Sequence, residues 1–336
     1  MRSTLWLLLL LLSTNALGRV GPVPDYAPLA LVRTHVQAMD LSPEFVERLG
    51  SLAGRRHTVV GEEDTLGTMV WLRDYQPIYV RDAEAHLHAL RVKSLLPERN
   101  GLKFTGDPPI EDLPLVHENG NLVVAGRYIF ISDRVFEDNE VEAPESLGER
   151  RPLVRDLAQA LHRPEADIVI MPQLPGEGTG HVDLYLLPVA DDVVLVPSIS
   201  EEALVDLTEG EWILGRVAAD FLDEQARFLT RLGLVVKRLP MLPPRLMPAV
   251  DRSAEDAVFF SPANSLLLNV GGRRSVLIPD LDQSALRTGH RRLYKQYRKQ
   301  WSRTFQGLGW RPVFADATEL SRYLGFFRCL SAVVPE

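Results

Sequence analysis

The sequence predicts an α/β fold, in which short apolar strands alternate with amphipathic helices. Runs rich in valine, isoleucine and leucine, bounded by glycine, proline, aspartate or asparagine, predict strands throughout the chain. Helical patterns fall between these runs. The stretches DLYLLPVADDVVLVPS and SLLLNVGGRRSVLIPD are similar, and each is followed by a helical pattern and a further strand. This recurrence predicts an internal strand-strand-helix-strand unit.

Five segments have the apolar spacing and the capping signals of helices. SPEFVERLGSL begins with Ser42 as its predicted N-cap, and DEQARFLTRLG ends at a glycine. The other helical segments are RPLVRDLAQALH, DQSALRTGHRRLYKQYRKQWSRTFQGLG and DATELSRYLG. The predicted strands, in chain order, are TMVWL, LHALRV, NLVVAGRYIFIS, DIVIMP, VDLYLLPV, DVVLVPS, LVVKRLP, SLLLNV, SVLIP and PVFA.

The N-terminal segment has the order of a secretory signal peptide. Arg2 precedes an apolar run from Leu5 to Leu12, which is followed by small and polar residues. This run is too short for a helix that spans a bilayer, which needs roughly 20 residues. We therefore expect residues 1–18 to be a signal peptide, the mature chain to begin at Arg19, and the protein to be secreted or periplasmic without stable membrane insertion.

Residues 19–336 are expected to form a single domain, because no low-complexity linker divides them. The formal net charge of -8 argues against a nucleic-acid partner, since affinity for phosphate backbones comes from clustered lysine and arginine. The basic stretch HRRLYKQYRKQW is an exception, but Leu293, Tyr297 and Trp301 recur in it every four residues. We interpret it as a helix with a solvated basic face and an apolar stripe on the core. The sequence does not indicate an oligomeric state.

Cys329 is the only cysteine in the sequence. A single thiol in an exported protein cannot form an internal disulfide. The thiol is then either a small buried apolar side chain or a nucleophile that a nearby base or cation holds as thiolate. Composition alone does not distinguish the two interpretations.

Four further polar residues lie where predicted strands begin or end. His181 and Asp183 stand two apart in GHVDLYLLPV, where the alternation of a strand would send both side chains to one face. Asp74 lies in a charged break in VWLRDYQPIYV, and Glu118 precedes an Asn-Gly turn in LVHENGNLVV. Taken singly, each residue is more simply explained by an ordinary turn or a hydrogen-bonded surface pair.

As a set, these stretches resemble the agmatine deiminase and bacterial peptidyl-arginine deiminase family of the guanidino-group-modifying (pentein) superfamily. The resemblance spans roughly residues 25 to 335. It is carried, in the order of the family, by WLRD (71–74), ENGN (118–121), GHVD (180–183), SPANSLLLN (261–269) and CLS (329–331). The resemblance implies a five-bladed α/β propeller of strand-strand-helix-strand units around a central polar site.

Three features depart from the family pattern. Cys329 follows YLGFFR, where the family has a glycine-rich stretch and often a histidine. Asn119 occupies a position that is usually glycine, and Pro262 occupies one where tyrosine is frequent. These departures indicate a divergent member, whose substrate can differ from agmatine or whose activity can have been lost.

The resemblance implies a hydrolase that converts a guanidinium group into a ureido product and ammonia. Because a guanidinium presents a planar fork of N–H donors that matches carboxylates, the resemblance assigns its binding to Asp74 and Asp183, with Glu118 as a third contact. Cys329 would attack the central carbon to form a covalent thiouronium intermediate. His181 would protonate the departing ammonia and then activate water. No metal or other cofactor is required, and the expected substrates are agmatine, free arginine or an arginine peptide.

Three alternatives stay open at this point. A metal-dependent hydrolase would use His181, Asp183 and Glu118, with His86 and His88 as further candidate ligands, although these spacings do not match a helix-borne zinc motif. An amidinotransferase of the same superfamily would use the same catalytic residues and transfer the amidino group to an amine. A non-catalytic guanidine-binding relative would retain the thiol only as a buried side chain.

Overall fold

The computed structural model describes residues 20–61, 71–93, 108, 110–140, 151–248, 255–323 and 325–336. The signal peptide predicted for residues 1–18 therefore lies outside the described residues. Within the described part of the chain, no helix combines the length and the apolar character that crossing a membrane requires.

Strands and helices alternate along the described residues, as the sequence predicts, except that Leu72 of the predicted strand TMVWL lies in a helix and residues 68–70 of that stretch lie outside the described residues. The strands are β1 (Gly21–Pro22), β2 (Leu29–His35), β3 (His57–Val60), β4 (Ile78–Arg81), β5 (Leu87–Lys93), β6 (Ile110–Val116), β7 (Leu122–Ala125), β8 (Tyr128–Ser132), β9 (Ile168–Met171), β10 (Leu187–Pro188), β11 (Val193–Ser198), β12 (Val235–Pro240), β13 (Arg245–Pro248), β14 (Glu255–Val258), β15 (Leu266–Val270), β16 (Arg273–Asp280), β17 (Arg311–Asp316) and β18 (Ser331–Pro335). The helices are α1 (Ala38–Leu41), α2 (Pro43–Ala53), α3 (Leu72–Tyr75), α4 (Arg134–Asp138), α5 (Arg151–Ala160), α6 (Glu209–Arg231) and α7 (Thr288–Gly307).

Five sheets share one arrangement, in which the first strand pairs antiparallel with the second and the second pairs parallel with the third. A parallel pair needs a crossover connection, which helices supply in four of the sheets. We call the sheets blades 1 to 5, and their strand orders are β18-β2-β3, β4-β5-β6, β7-β8-β9, β10-β11-β12 and β15-β16-β17. The α/β class and the repeated strand-strand-helix-strand unit are confirmed.

The two similar sequence stretches form the hairpins of blades 4 and 5, β10–β11 and β15–β16. Two additions lie outside the repeat. Strand β1 extends blade 2 beside β4, and β13 pairs with β14 in a separate hairpin between blades 4 and 5.

The helices pack their apolar stripes on the sheets. Leu222 and Leu229 of α6 belong to one buried core with Val194 and Val196 of β11. In α7, Tyr297 and Trp301 are buried, while the lysines and most of the arginines of the same helix are exposed. The basic stretch is thus a solvated helix face over a buried stripe, as interpreted from the sequence.

Three of the predicted helices differ from the sequence expectation, two at their N-terminal ends and one in its type. Ser42 precedes α2, but its hydroxyl donates to the carbonyl of Asp316 (2.6 Å) and does not cap the helix. Helix α6 begins well before the predicted segment, where Thr208 and Glu211 form a reciprocal capping box. The stretch DATELSRYLG forms a 3₁₀ turn at Leu320–Tyr323, and its described residues form no α-helix.

Blade 1 joins distant parts of the chain. Strand β18 pairs with β2, with Val333 opposite Val32, and the amide of Glu336 donates to the carbonyl of Pro28 (2.9 Å). The strand that follows Cys329 is therefore held by a strand near the beginning of the described residues.

Candidate active site

In every blade, a tight turn immediately precedes the first strand, and neighbouring turns contact one another. We call these the axial turns. They are α3 before β4, Asn119–Asn121 before β7, Val182–Leu184 before β10, Pro262–Asn264 before β15 and residues 327–330 before β18. The five stretches that carry the family resemblance overlap these turns, so residues far apart in sequence occupy equivalent places in the repeated unit.

The position of His181 and Asp183 corrects one step of the sequence argument. Strand β10 begins only at Leu187, and Val182–Leu184 is a 3₁₀ turn. Strand alternation therefore does not explain why the two side chains share a site. They reach it because the turn that carries them contacts the turns of blades 3 and 5.

His181 is buried between two carboxylates. Its Nε2 lies 3.1 Å from Oε2 of Glu118, and its Nδ1 lies 3.7 Å from Oδ1 of Asp74. Burial disfavours the charged imidazolium, but the charges of Asp74, Glu118 and Asp183 outweigh it and raise the pKa of His181 to about 10. The imidazole is therefore protonated at neutral pH and can act as an acid.

The two carboxylates beside His181 differ in their own proton affinities. Burial raises the pKa of Asp74 to about 7, with the His181 charge opposing it. Burial also opposes ionisation of Glu118, but the hydrogen bond and charge of His181 prevail and lower the pKa of Glu118. The side chains of Asp74 and Glu118 are 12% and 26% exposed, so a ligand can reach them.

Gly120 provides the space for the imidazole. A Cβ atom at this position would lie 2.1 Å from Nδ1 of His181. The neighbouring Asn119 is buried, and its side-chain amide donates to the carbonyl of Gln76 (2.5 Å). The Asn-Gly pair that suggested only a turn in the sequence thus anchors the turn and seats His181.

Cys329 is buried and contacts Asn264. Its Sγ lies 3.3 Å from Nδ2 and 3.4 Å from Oδ1 of Asn264. Burial, followed by the charges of Asp183 and Asp74, raises the pKa of the thiol well above its usual value. In the free protein the thiol is therefore protonated at neutral pH. Asn264 lies within the stretch SPANSLLLN, but sequence reasoning gave it no role of its own.

Asp183 is fully buried and already has partners within the protein. Its Oδ2 lies 2.8 Å from Nε of Arg73, and its Oδ1 accepts from Nδ2 of Asn264 (3.4 Å). The resemblance implied a direct contact between this carboxylate and a substrate guanidinium. In the structure, a guanidinium of the protein itself contacts Asp183, and Asn264 links Asp183 to the thiol.

The carboxylate of Asp25 forms a group of four charged side chains together with Asp183 and two arginines. Both terminal nitrogens of Arg73 contact the carboxylate of Asp25, at 3.4 and 3.3 Å, and Nη2 of Arg328 also contacts it. Burial raises the pKa of Asp25, but Arg328 and Arg73 outweigh it and lower the pKa to about 2. We call Asp25, Arg73, Asp183 and Arg328 the charge cluster. The sequence did not reveal Asp25, because its stretch PDYAP has no distinguishing pattern.

A cation could be held by one group of side chains in the site. Ligand atoms of Asp74, Glu118 and His181 all lie within 4.8 Å of one another. The histidines that the metal alternative also invoked are placed differently, since His86 and His88 both contact Asp82, at 3.4 and 2.8 Å.

No protein-family model matches the chain, and no curated protein matches its sequence significantly. Solved structures do match. The agmatine deiminase of C. jejuni is 12% identical, with a TM-score of 0.67 over 95% of this chain and 96% of that one. The same enzyme with substrate bound gives a TM-score of 0.65 over 95% and 97%, also at 12% identity. The agmatine deiminase of Enterococcus faecalis is 15% identical, with a TM-score of 0.62 over 95% and 96%. The chain therefore has the α/β fold of these agmatine deiminases along nearly its whole length.

Proposed function

We propose that the chain is a hydrolase that deiminates a guanidinium group, giving a ureido product and ammonia through a covalent intermediate on Cys329. One observation carries the proposal. The axial turns bring a sole thiol, a protonated imidazole and partly exposed carboxylates together in one site. The likeness of the fold to agmatine deiminases, one of them with substrate bound, supports the same reaction class.

Asp74 and Glu118 are the carboxylates that bind the substrate directly in this proposal. They are partly exposed, and the guanidinium fork can donate to both of them. Asp183 does not contact the substrate in this proposal and acts through its own contacts with Arg73 and Asn264. A bound cation would also lower the pKa of Asp74, because a nearby positive charge favours the ionised carboxylate.

The bound cation also activates the thiol. The positive guanidinium favours ionisation of the Cys329 thiol, whose proton passes to solvent, and the resulting thiolate forms the S–C bond to the central carbon. The resulting tetrahedral adduct takes a proton from His181, and its C–N bond breaks to release ammonia. A thiouronium cation stays on the sulfur, and His181 is left neutral.

Water completes the reaction. Neutral His181 removes a proton from water as the oxygen adds to the thiouronium carbon. Collapse of this second adduct breaks the C–S bond, and the hydroxyl proton of the adduct passes to the departing sulfur, which releases the ureido product and regenerates the thiol. The substrate guanidinium and one water thus become the ureido product and ammonium.

The direct test is release of ammonia and ureido product from agmatine, free arginine and an arginine peptide. We expect wild-type protein to turn over at least one of them, and Cys329→Ala to turn over none while unfolding at the same temperature. Acid quenching during turnover should show the mass of the thiouronium on the peptide that contains Cys329. Full turnover by Cys329→Ala, or silence of the wild type on all three substrates, would contradict the proposal.

The group formed by Asp74, Glu118 and His181 favours one second candidate, a metal-dependent hydrolase. Its distinguishing property is dependence on a divalent cation. If exhaustive chelation removed activity and zinc restored it, the metal-dependent reaction would replace the thiol reaction. If chelation left turnover unchanged, this candidate would be excluded.

We also propose that residues 1–18 direct export and are removed, and that residues 19–336 act as one catalytic domain outside the cytoplasm. The charged, apolar and small-residue order of the N-terminal segment supports this proposal. The intact mass of protein recovered from the periplasm or medium would test it. A mature chain that begins at Arg19 is expected, and recovery of the full-length chain only from the cytoplasm would contradict export.

A further inference from the structure

The charge cluster adjoins the thiol, since Arg328 precedes Cys329 in the chain and Asn264 contacts both Asp183 and the Sγ of Cys329. Arg73 spans it, since its Nε contacts Asp183 (2.8 Å) while both of its terminal nitrogens contact Asp25 (3.4 and 3.3 Å). Arg328 spans it in a similar way, with Nη2 on Asp25 and Nε 3.8 Å from Oδ2 of Asp183. Two guanidinium groups and two carboxylates therefore balance each other in the interior.

The cluster is coupled to Cys329 through the backbone as well as through charge. The amide of Arg73 donates to the carbonyl of Cys329 (3.1 Å), and Arg328 is its neighbour in the same axial turn. The charges of Asp183, Asp74 and Arg73, from other turns, act on the thiol, and Arg328 precedes Cys329 in its own turn. Any change in the cluster's net charge is expected to alter the proton affinity of the thiol.

Asp25 differs from the other members in its exposure. Its side chain is 27% exposed, whereas those of Arg73, Arg328 and Asp183 are 5% exposed or less. It borders a cavity of about 50 Å³ that Arg73, Gln76 and Asn119 also line. Neither His181 nor Cys329 lines this cavity. Asp25 therefore reaches the cluster from outside the site that holds the thiol.

Asp25 also determines which nitrogen of Arg73 contacts Asp183. With both terminal nitrogens on Asp25, Arg73 presents only its Nε to Asp183. Burial and the neighbouring charge of Arg73 lower the pKa of Arg328, and Asp25 opposes them. Without this carboxylate, two like charges would share one anionic partner in a dry interior, where such an imbalance is costly.

We propose that Asp25 is a positioning residue of the reaction, which balances the two buried guanidinium groups so that the site beside the Cys329 thiol stays electrically neutral and accepts a cationic substrate. The part that concerns the substrate rests on the proposed function. The part that concerns the thiol does not rest on the proposed function, because it depends only on the charges near the thiol and their distances from it.

The two effects of removing Asp25 have opposite signs. An extra positive charge beside the thiol favours the thiolate, so the thiol becomes more acidic. The same charge repels a guanidinium, so the substrate binds more weakly. Removal of a residue that only stabilised the fold would not be expected to make the thiol more acidic and at the same time weaken the binding of a cationic substrate.

The thiol is tested first, by alkylation. Because Cys329 is the only cysteine, its reaction with a small reagent such as iodoacetamide reports this residue alone. Asp25→Asn keeps the shape of the side chain and removes its charge. We expect alkylation about tenfold faster at a fixed pH below the thiol pKa, equivalent to a pKa about one unit lower. Glu84→Gln removes a charge from an exposed residue and should leave the rate unchanged. An unchanged or slower rate in Asp25→Asn would overturn the proposal.

Turnover is tested second. For the best guanidinium substrate, Asp25→Asn should raise KM about tenfold with a smaller change in kcat, and Asp25→Glu should restore both the KM and the alkylation rate. A lower kcat with unchanged KM would overturn the substrate part. If the wild type deiminates no guanidine, the proposed function fails, while the alkylation result still decides the part that concerns the thiol.

A double-mutant cycle keeps the test decisive if Asp25→Asn does not fold. Arg328→Gln leaves an extra negative charge and should slow alkylation. Adding Asp25→Asn to Arg328→Gln restores neutrality, so the double variant should react faster than Arg328→Gln and close to wild type. A double variant that reacts no faster than Arg328→Gln would overturn the charge-balance role.

Discussion

Gly120→Ala tests how closely the protein fits the imidazole of His181. The added Cβ would lie 2.1 Å from Nδ1, 2.5 Å from Cγ and 2.6 Å from Cε1 of the ring. Atoms in ordinary contact are roughly 3.5 Å apart, so the ring would have to move by more than about 1 Å. Gly120 does not have a positive φ, so the effect is steric and not one of backbone strain.

Two consequences of this movement have expected magnitudes. Overpacking of this kind typically costs about 1–3 kcal/mol of the free energy of unfolding. Displacement of a catalytic group by about 1 Å can reduce the rate by about 100-fold. The ring would also move away from Glu118 and Asp74, so the pKa of His181 should fall below its wild-type value of about 10.

The assay combines turnover, urea unfolding and NMR titration of the imidazole, whose signal is assigned by its absence in His181→Gln. Gly307→Ala is the matched control, since a Cβ there meets nothing within 4 Å. It should leave turnover and the titration unchanged. Wild-type turnover together with an unchanged titration in Gly120→Ala would refute the argument that Gly120 seats the ring.

Two further predictions concern stability. Thr208→Ala removes the capping box of α6, in which the hydroxyl accepts from the amide of Glu211 (3.3 Å), and should lower the free energy of unfolding by about 1 kcal/mol. Urea unfolding measures this loss, and Thr208→Ser should retain most of the stability. Asp74→Asn should flatten the pH dependence of stability, because the pKa of Asp74 is raised from 3.8 to about 7. Because the pKa of Asp74 is higher in the folded than in the unfolded protein, this residue contributes stability that is fully present below pH 3.8 and is lost as the pH rises through about 7. The free energy of unfolding of the wild type should therefore fall across this pH window more steeply than that of Asp74→Asn. Equal slopes in the two proteins, measured by urea unfolding at several pH values, would exclude Asp74 as the cause.

The repeated unit could be predicted from the sequence because blades 4 and 5 carry a local signal, whereas the strands of blade 1 (β18, β2 and β3) were not predicted. Hairpins such as β10–β11 and β15–β16 have apolar strands with polar turns, and their helices have apolar stripes. The first half of α6 was missed because Trp212, Ile213 and Val217 are large apolar side chains that are about half exposed. Because these apolar side chains lie on the outer face of the helix, the apolar residues of this segment do not recur with the spacing of a single buried face.

The candidate site was predicted less completely. Cys329, His181, Asp74 and Glu118 could be named because they lie in short stretches with a recognisable order. Asp25 could not, since its role depends on two arginines that are distant in the sequence and meet it only in the folded chain. Short local patterns do not contain that information.

The pairing of β18 with β2 also determines when the thiol meets its partners during folding. The two strands are separated by about 300 residues of chain, and closing so long a loop has an entropic cost that local hairpins avoid. Blades 2 to 5 consist of strands close in sequence and can form earlier, whereas blade 1 has to wait for both of its segments. Assembly of the nucleophile with its acid is thus expected to be a late event in folding, and recovery of turnover after dilution from denaturant should lag behind recovery of helical signal.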